Sequence, residues 1–413
     1  MVITIAQKAR EASSQLALLD TQTKNKVLLE MADDIRKGTT SIIKSNKKDV
    51  EGAKKAGRSK AIIDRLTLDA PRIDGIAEGL RDMANLPDPI GENLREWVRP
   101  NGIRIRQIRV PLGVVGMIYE SRPNVTPESA GLCLKSGNAV ILRGSSEAWE
   151  SNQVLVRLMS QALGRCGIPS SAVQLLPPQD RKSITLLTQL NGLVDLIIAR
   201  GSEKMIRAVS AQATVPVMGH GKGVCHVYLD KAADIKKAVN IAFNAKVQRP
   251  GVCNAMESLL IHEHVMFDVL PKLTEKYIKA GVEIRGDDRV VGLISKAKAV
   301  SPLDWDTEYL DKIVSVKVVD DLEEAIDHIH QHGSGHTDSI VTEDKKAADR
   351  FLKAVDSSCV MLNASTRLHD GGIFGFGSEI GISTNKLHAR GTMGLRELTT
   401  TKYVVEGTGQ IRE

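Results

Sequence analysis

Cys253, in the stretch QRPGVCNAMESLLI (248–261), is the residue best placed to act as a nucleophile. A Pro-Gly pair precedes it and an apolar run follows, so the thiol stands at an element start, where it can be exposed. A thiolate there could attack an acyl carbon and carry a covalent intermediate. No histidine adjoins it, so a cysteine–histidine pair cannot be read locally, and an inert, space-filling thiol is the bland alternative. Cys133, Cys225 and Cys359 lie in apolar settings that fit that alternative, and Cys166 sits near a helix end. No Cys-x-x-Cys spacing occurs, so neither a zinc ribbon nor a thioredoxin motif is written here.

A second candidate is ARGSEKMIRAV (199–209). Gly201 and Ser202 fall between a strand and a helix, where Ser202 can cap the helix or its free N–H groups can receive phosphate. GHGKG (219–223) and GFGSEIG (375–381) miss both the dinucleotide and the P-loop spacing and read as turns. In HIHQHGSGH (328–336), His328 and His332 share a helix face. No acidic or cysteine partner completes a metal set, so a polar helix end capped by Gly333 is preferred and no metal is expected.

The elements that must position these residues are α/β. Apolar residues make up 42% of the 413 and charged residues 26%, which describes a globular chain of more than one domain. Aromatics at 3% argue against a stacking-based nucleic-acid binder, and a net +6 is a mild bias suited to an anionic ligand. The odd cysteine count, no signal peptide and no membrane-length apolar run point to a cytoplasmic protein. Helical periodicity fills the chain up to the PDPIG break (87–91). GIRIRQIRV (102–110) alternates as a strand exposed on one face, suited to a sheet edge or intersubunit arm. From 113 to 230, the apolar runs GVVGMIY, NAVILR, AVQLLP, LVDLIIA and VCHVYL alternate with helices, which implies a parallel sheet covered on both faces. A second α/β stretch runs from 231 to 365, and ELTTTKYVVEG (397–407) reads as a closing strand.

Several long blocks occur together and in order: YESRPNVTPESAGLCLKSGNAVILRGSSEA, PVMGHGKGVCHVYLD, VQRPGVCNAMESLLIH, GSGHTDSIVTED and FGFGSEIGISTNKLHARGTMGL. They make the chain similar to the glutamyl phosphate-reducing branch of the aldehyde dehydrogenase superfamily. The resemblance implies an aldehyde dehydrogenase-like α/β fold, with two parallel-sheet domains and a β-strand oligomerisation arm. Its boundaries would be 1–101 and 111–230 for an NADP(H)-binding domain, 231–391 for a catalytic domain, and 102–110 and 392–413 for oligomerisation strands. It also implies NADPH-dependent reduction of L-glutamate 5-phosphate to the 5-semialdehyde, the second step of proline biosynthesis from glutamate. A homo-oligomer and coupling to a glutamate kinase are expected; nucleic acid and membrane are not.

Residue by residue, the resemblance makes Cys253 the nucleophile and Asn124 of RPNVT the oxyanion donor, acting with the Cys253 N–H. Gly201 and Ser202 would start the pyrophosphate-binding helix. Arg143 would reach the adenosine ribose. Ser146 would stand where NAD-preferring relatives carry a ribose-binding glutamate, although Glu147 is one residue away. Glu308 would hold the nicotinamide ribose, with an exposed loop acid as the alternative. Arg122 and Arg249 flank the two motifs and are candidates for the substrate phosphate or carboxylate; surface pairing is the alternative.

One departure is informative. Hydrolytic aldehyde dehydrogenases carry a water-activating glutamate four residues before the lysine of a Gly-Gly-Lys turn. Counting back from Lys222 gives Met218. A thioester without a base beside it is kept from hydrolysis, which suits a reductase and counts against an aldehyde-oxidising hydrolytic dehydrogenase. A non-enzymatic basic or histidine-rich binding protein is disfavoured by the weak charge and incomplete metal set.

Overall fold

The computed structural model describes residues 1–178, 182–219 and 221–412, so His220 of the GHGKG segment lies outside it. Five helices open the chain: α1 (Val2–Leu16), α2 (Thr21–Lys37), α3 (Thr39–Lys55), α4 (Lys60–Leu66) and α5 (Ala70–Asn85). Short acids start two of them. Asp20 accepts the Thr23 N–H at 2.7 Å and Asp69 the Arg72 N–H at 2.9 Å, satisfying N–H groups that a helix start leaves unpaired. The apolar stripes of α2 and α5, among them Leu28, Met31, Ile35, Leu80 and Met83, pack into the first core.

Strands β1 (Asn93–Val98) and β2 (Arg104–Pro111) follow, then the first α/β lobe. It comprises β3 (Val114–Tyr119), α6 (Val125–Lys135), β4 (Ala139–Arg143), α7 (Trp149–Arg165), β5 (Val173–Leu175), α8 (Lys182–Leu187), β6 (Leu196–Arg200), α9 (Glu203–Gln212) and β7 (Val217–Met218). The sheet is parallel in the order β5-β4-β3-β6-β7. β3 and β4 are buried on both faces, which is why they read as unbroken apolar runs. Asp49 of α3 accepts the Glu150 and Ser151 N–H groups at 3.2 and 2.9 Å, tying the helical layer to the start of α7.

The second lobe comprises β8 (Cys225–Leu229), α10 (Ile235–Val247), β9 (Met256–His262), α11 (Glu263–Ala280), β10 (Glu283–Gly286), α12 (Asp288–Leu293), β11 (Lys298–Ala299), β12 (Ile313–Val319), α13 (Leu322–His332), β13 (Thr337–Val341), α14 (Lys345–Ala354) and β14 (Cys359–Leu362). Its parallel sheet has the order β11-β10-β12-β9-β8-β13-β14. Side chains alternate between two cores. Val227, Leu229, Leu259 and Ile261 join one, and Tyr228, Leu260 and Ile340 join the other, with Phe351 of α14.

The chain closes with a small β15 (Gly381–Ser383) and β16 (Gly391–Met393) pair, then β17 (Thr399–Glu406). β17 pairs antiparallel with β2, which also pairs with β1, giving a separate sheet ordered β1-β2-β17. Among the described residues no helix is long and apolar enough to cross a membrane.

Three features depart from the sequence reading. Strand 225–229, grouped there with the first α/β stretch, hydrogen-bonds into the second sheet between β9 and β13. β1 was not anticipated, because NLREWV is exposed at every position and carries no buried-face alternation. Within 392–413, Met393, Leu395 and Leu398 pack into the first core, and only 399–406 forms the strand beside β2.

Candidate active site

Cys253 sits half-buried in the irregular loop between α10 and β9. Gly223 presses on it: a Cβ there would stand 2.0 Å from the Cys253 carbonyl oxygen. A Cβ on Gly219 would lie 2.7 Å from the Ala199 carbonyl oxygen. The glycines at 219 and 223 are thus required by close backbone approach, one of them against the candidate nucleophile. Cys225, read from sequence as an inert apolar thiol, lies directly behind: its Sγ donates to the Cys253 carbonyl at 3.2 Å. Burial pushes the Cys225 pKa well up, so it stays a neutral donor. Cys133 is fully buried on α6.

Three arginines gather here, one of them missed in the sequence. Arg122 precedes α6. Burial lowers its pKa to about 10 and the like charges of Arg200 and Arg65 push the same way, while Cys253 and Glu128 oppose them. Arg367 lies in the turn after β14. Its Nε donates to Gln248 Oε1 at 2.9 Å and its Nη1 to Asn254 Oδ1, so it spans the Cys253 loop from one side to the other. Burial lowers its pKa and Arg249 adds to the effect; Asp370 and Cys253 oppose it. Nothing in the residue type of Arg367 signals this, because the contact joins segments more than a hundred positions apart.

Asn124 stands just before α6, and its amide nitrogen donates to Glu128 Oε1 at 2.8 Å. Arg200 Nη1 lies 3.7 Å from the other Glu128 oxygen. An amide has two N–H groups, so one remains for another acceptor. Met218 is fully buried in β7, paired with Ile198, and offers no base.

Glu308 is half-buried on the segment leading to β12. That segment is anchored by a buried ion pair: Lys246 Nζ lies 2.5 Å from Glu257 Oε2, and both side chains are fully buried. The other Glu257 oxygen accepts the Leu310 N–H at 3.3 Å. Leu310 takes the left-handed conformation at φ 53°, unusual for a bulky residue. Burial raises the Glu257 pKa to about 7 against the pull of Lys246, and burial likewise lowers that of Lys246.

The remaining candidates collect at the carboxyl ends of β3, β4 and β6, where open α/β sheets bind nucleotides. Arg143 is buried at the end of β4 and donates to the Gly144 carbonyl. Ser146 opens the short turn before α7. Glu147 is held by Arg58 at 2.5 Å and by Ser121, so its carboxylate is engaged. Ser202 occupies the first position before α9 but makes no side-chain cap, contrary to the sequence reading. Instead Glu120, just past β3, accepts the Ser202 N–H and Oγ–H, each at 2.9 Å. A Cβ on Gly201 would lie 2.7 Å from the Glu120 carboxyl carbon. An acidic oxygen pair thus sits where a helix start favours an anion, packed closely against Gly201. The residue types and the helix start suit a phosphate group, for which the Ser202 N–H would have to leave Glu120.

The His328 and His332 rings lie 4.6 Å apart, tilted at 45°, but His328 is buried against His226 and Trp305 rather than at a polar helix end. Among the described residues no group of three or more His, Cys, Asp or Glu could hold a metal ion.

The aldehyde dehydrogenase family model matches residues 1–312 and 304–404. The gamma-glutamyl phosphate reductase of Caldanaerobacter subterraneus subsp. tengcongensis is 50% identical over 408 residues, covering 99% of both chains. That of Nautilia profundicola is 52% identical over 409 residues, again 99% of both. The crystal structure of gamma-glutamyl phosphate reductase from Thermotoga maritima superposes with a TM-score of 0.98 at 44% identity, covering both chains completely. With half its residues identical over the whole chain length and the same overall fold, this chain belongs to the aldehyde dehydrogenase family, among its gamma-glutamyl phosphate reductases.

Proposed function

We propose that the protein reduces L-glutamate 5-phosphate to L-glutamate 5-semialdehyde with NADPH, releasing phosphate, as a step of proline biosynthesis. The observation that carries the reading is the Cys253 loop: a half-exposed thiol beside arginines, with the buried Met218 in place of a base. The Cys253 thiolate adds to the C5 carbonyl carbon. Asn124, through the amide N–H that Glu128 leaves over, and the Cys253 N–H donate to the oxygen as it gains charge. The intermediate collapses with cleavage of the C–O bond to phosphate, leaving a thioester on Cys253. Arg143, Ser146, Gly201, Ser202 and Glu308 would hold the reduced nicotinamide cofactor, which would supply the hydride that takes the thioester to the aldehyde level. The thiolate then leaves. Arg122 and Arg249 keep an anionic substrate at the thiol and favour the thiolate by their charge. Ser146, with Glu147 held away by Arg58, lets the site accept the cofactor's 2′-phosphate.

In this reading the five-stranded lobe with the helices holds NADP(H), and the seven-stranded lobe carries the thiol. The β1-β2-β17 sheet, with Trp97, Tyr403 and Val405 exposed, pairs with a second copy. The acyl phosphate is short-lived, so a glutamate kinase must act close by, in the cytoplasm.

The test supplies glutamate, ATP and a glutamate kinase and follows NADPH consumption. Consumption that requires all three is expected. NADP⁺ reduction by the semialdehyde without phosphate would instead mark a hydrolytic dehydrogenase.

A further inference from the structure

Arg367 and Asp370 are unused by the mechanism above. Both lie in the turn from Thr366 to Asp370, which is fastened to the residue after the nucleophile. Asn254 Nδ2 donates to the His369 carbonyl at 2.8 Å, and Asn254 Oδ1 accepts from Arg367 Nη1. Arg367 Nε is fixed on Gln248, so the guanidinium plane is set and its remaining N–H groups have a defined direction. Among the described residues neither Arg367 nor Arg249 forms an ion pair with a carboxylate, whereas Arg390 is paired with Asp356 at 2.6 Å. Asp370 accepts the Gly372 N–H at 2.9 Å and the Ile373 N–H at 3.4 Å, which holds its carboxylate in place. The ionisable groups that bear on Arg367 are Arg249, Asp370, Cys253 and Cys225.

Those within reach of Arg122 are different: Arg200, Arg65, Cys253 and Glu128. The Arg122 side therefore gathers arginines around one carboxylate, Glu128, which Asn124 and Arg200 already engage, whereas the Arg367 side sets two arginines beside Asp370, whose carboxylate accepts from the Gly372 and Ile373 N–H groups. A glutamyl phosphate has two matching ends. Its phosphate carries up to two negative charges and is two bonds from the attacked carbon. Its other end is a zwitterion, with a carboxylate and an ammonium on one carbon.

We propose that Arg367 and Asp370 bind the α-amino acid end of the substrate, Arg367 taking the carboxylate and Asp370 the ammonium, which leaves the phosphate to the Arg122 side. The assignment rests on the function proposed above and adds the residues that make the enzyme choose an amino acid semialdehyde over a plain aldehyde. Arg249 adds charge to the carboxylate side, and Asn254 is a positioning residue acting through Arg367.

The reverse reaction separates the two ends. NADP⁺ reduction is measured with L-glutamate 5-semialdehyde and inorganic phosphate, each varied in turn, and again with butanal, which lacks the zwitterionic end. For Arg367→Ala, KM for the semialdehyde should rise about 10- to 100-fold, as for loss of a charge-assisted pair. KM for phosphate should change much less, and the kcat/KM preference for the semialdehyde over butanal should fall by a similar factor. Arg367→Lys should recover part of the loss and Asp370→Asn should show the same pattern more weakly. If KM for phosphate rises instead, or the preference over butanal is unchanged in both Arg367→Lys and Asp370→Asn, the assignment is overturned. The latter two variants keep the test valid should Arg367→Ala not fold. A wild-type protein that shows no phosphate-dependent NADP⁺ reduction would contradict the function itself, a separate result.

Discussion

Two turns at the ends of parallel strands carry the proposed chemistry, and they treat charge in opposite ways. Around Cys253, three arginines, Arg122, Arg249 and Arg367, stand without carboxylate ion pairs among the described residues, although Glu128 and Asp370 bear on two of them. At Gly201–Ser202, the helix start is already filled by the protein's own Glu120. The first arrangement leaves positive charge for an incoming acyl phosphate and for the thiolate. The second already engages the Ser202 N–H and hydroxyl, which a cofactor phosphate at this helix start would have to take over. Uncompensated charge at the thiol raises affinity for an anion, whereas a carboxylate already in place lowers it.

The contrast breaks most sharply at the thiol. Cys253→Ser should abolish turnover while NADPH binding, followed by nucleotide fluorescence, and the far-ultraviolet dichroism stay as in the wild type. Retained turnover would remove the nucleophile from the account. Asn124→Ala comes next: loss of one oxyanion donor should lower kcat by about 10²- to 10³-fold with NADPH affinity preserved. An equal rise in the NADPH dissociation constant would move Asn124 to the cofactor side. The smallest effect belongs to the other turn. Glu120→Gln keeps the shape but removes the competing charge, so NADPH should bind about two- to fivefold more tightly. Weaker binding would mean that Glu120 holds the cofactor rather than yielding to it.

How far these two regions were legible in the sequence follows from the range of their contacts. The strands of both sheets announce themselves because burial on both faces demands unbroken apolar runs such as GVVGMIY and NAVILR. Helix starts at Asp20 and Asp69 rest on local contacts, yet neither acid was singled out in the sequence. Strand 225–229 went to the wrong stretch because apolar runs carry no mark of which sheet they join. GHGKG read as an idle turn, since the reason for Gly223 is a carbonyl 30 positions away. Glu120 gave no signal, because its partner Ser202 is 82 residues on. Arg367 was missed for the same reason: an arginine's worth depends on whether a carboxylate meets it, and only the fold decides that.

The central claim is that Cys253 carries a thioester that phosphate, not water, removes in the reverse direction. It is tested most directly by mixing the enzyme with L-glutamate 5-semialdehyde and NADP⁺ in the absence of phosphate, quenching in acid and locating the acyl group by peptide mass spectrometry. The account predicts a single burst of NADPH no larger than the enzyme concentration, an acyl adduct on the Cys253 peptide, and resumed turnover once phosphate is added. Steady NADPH formation without phosphate, or an adduct on any other cysteine, would contradict it.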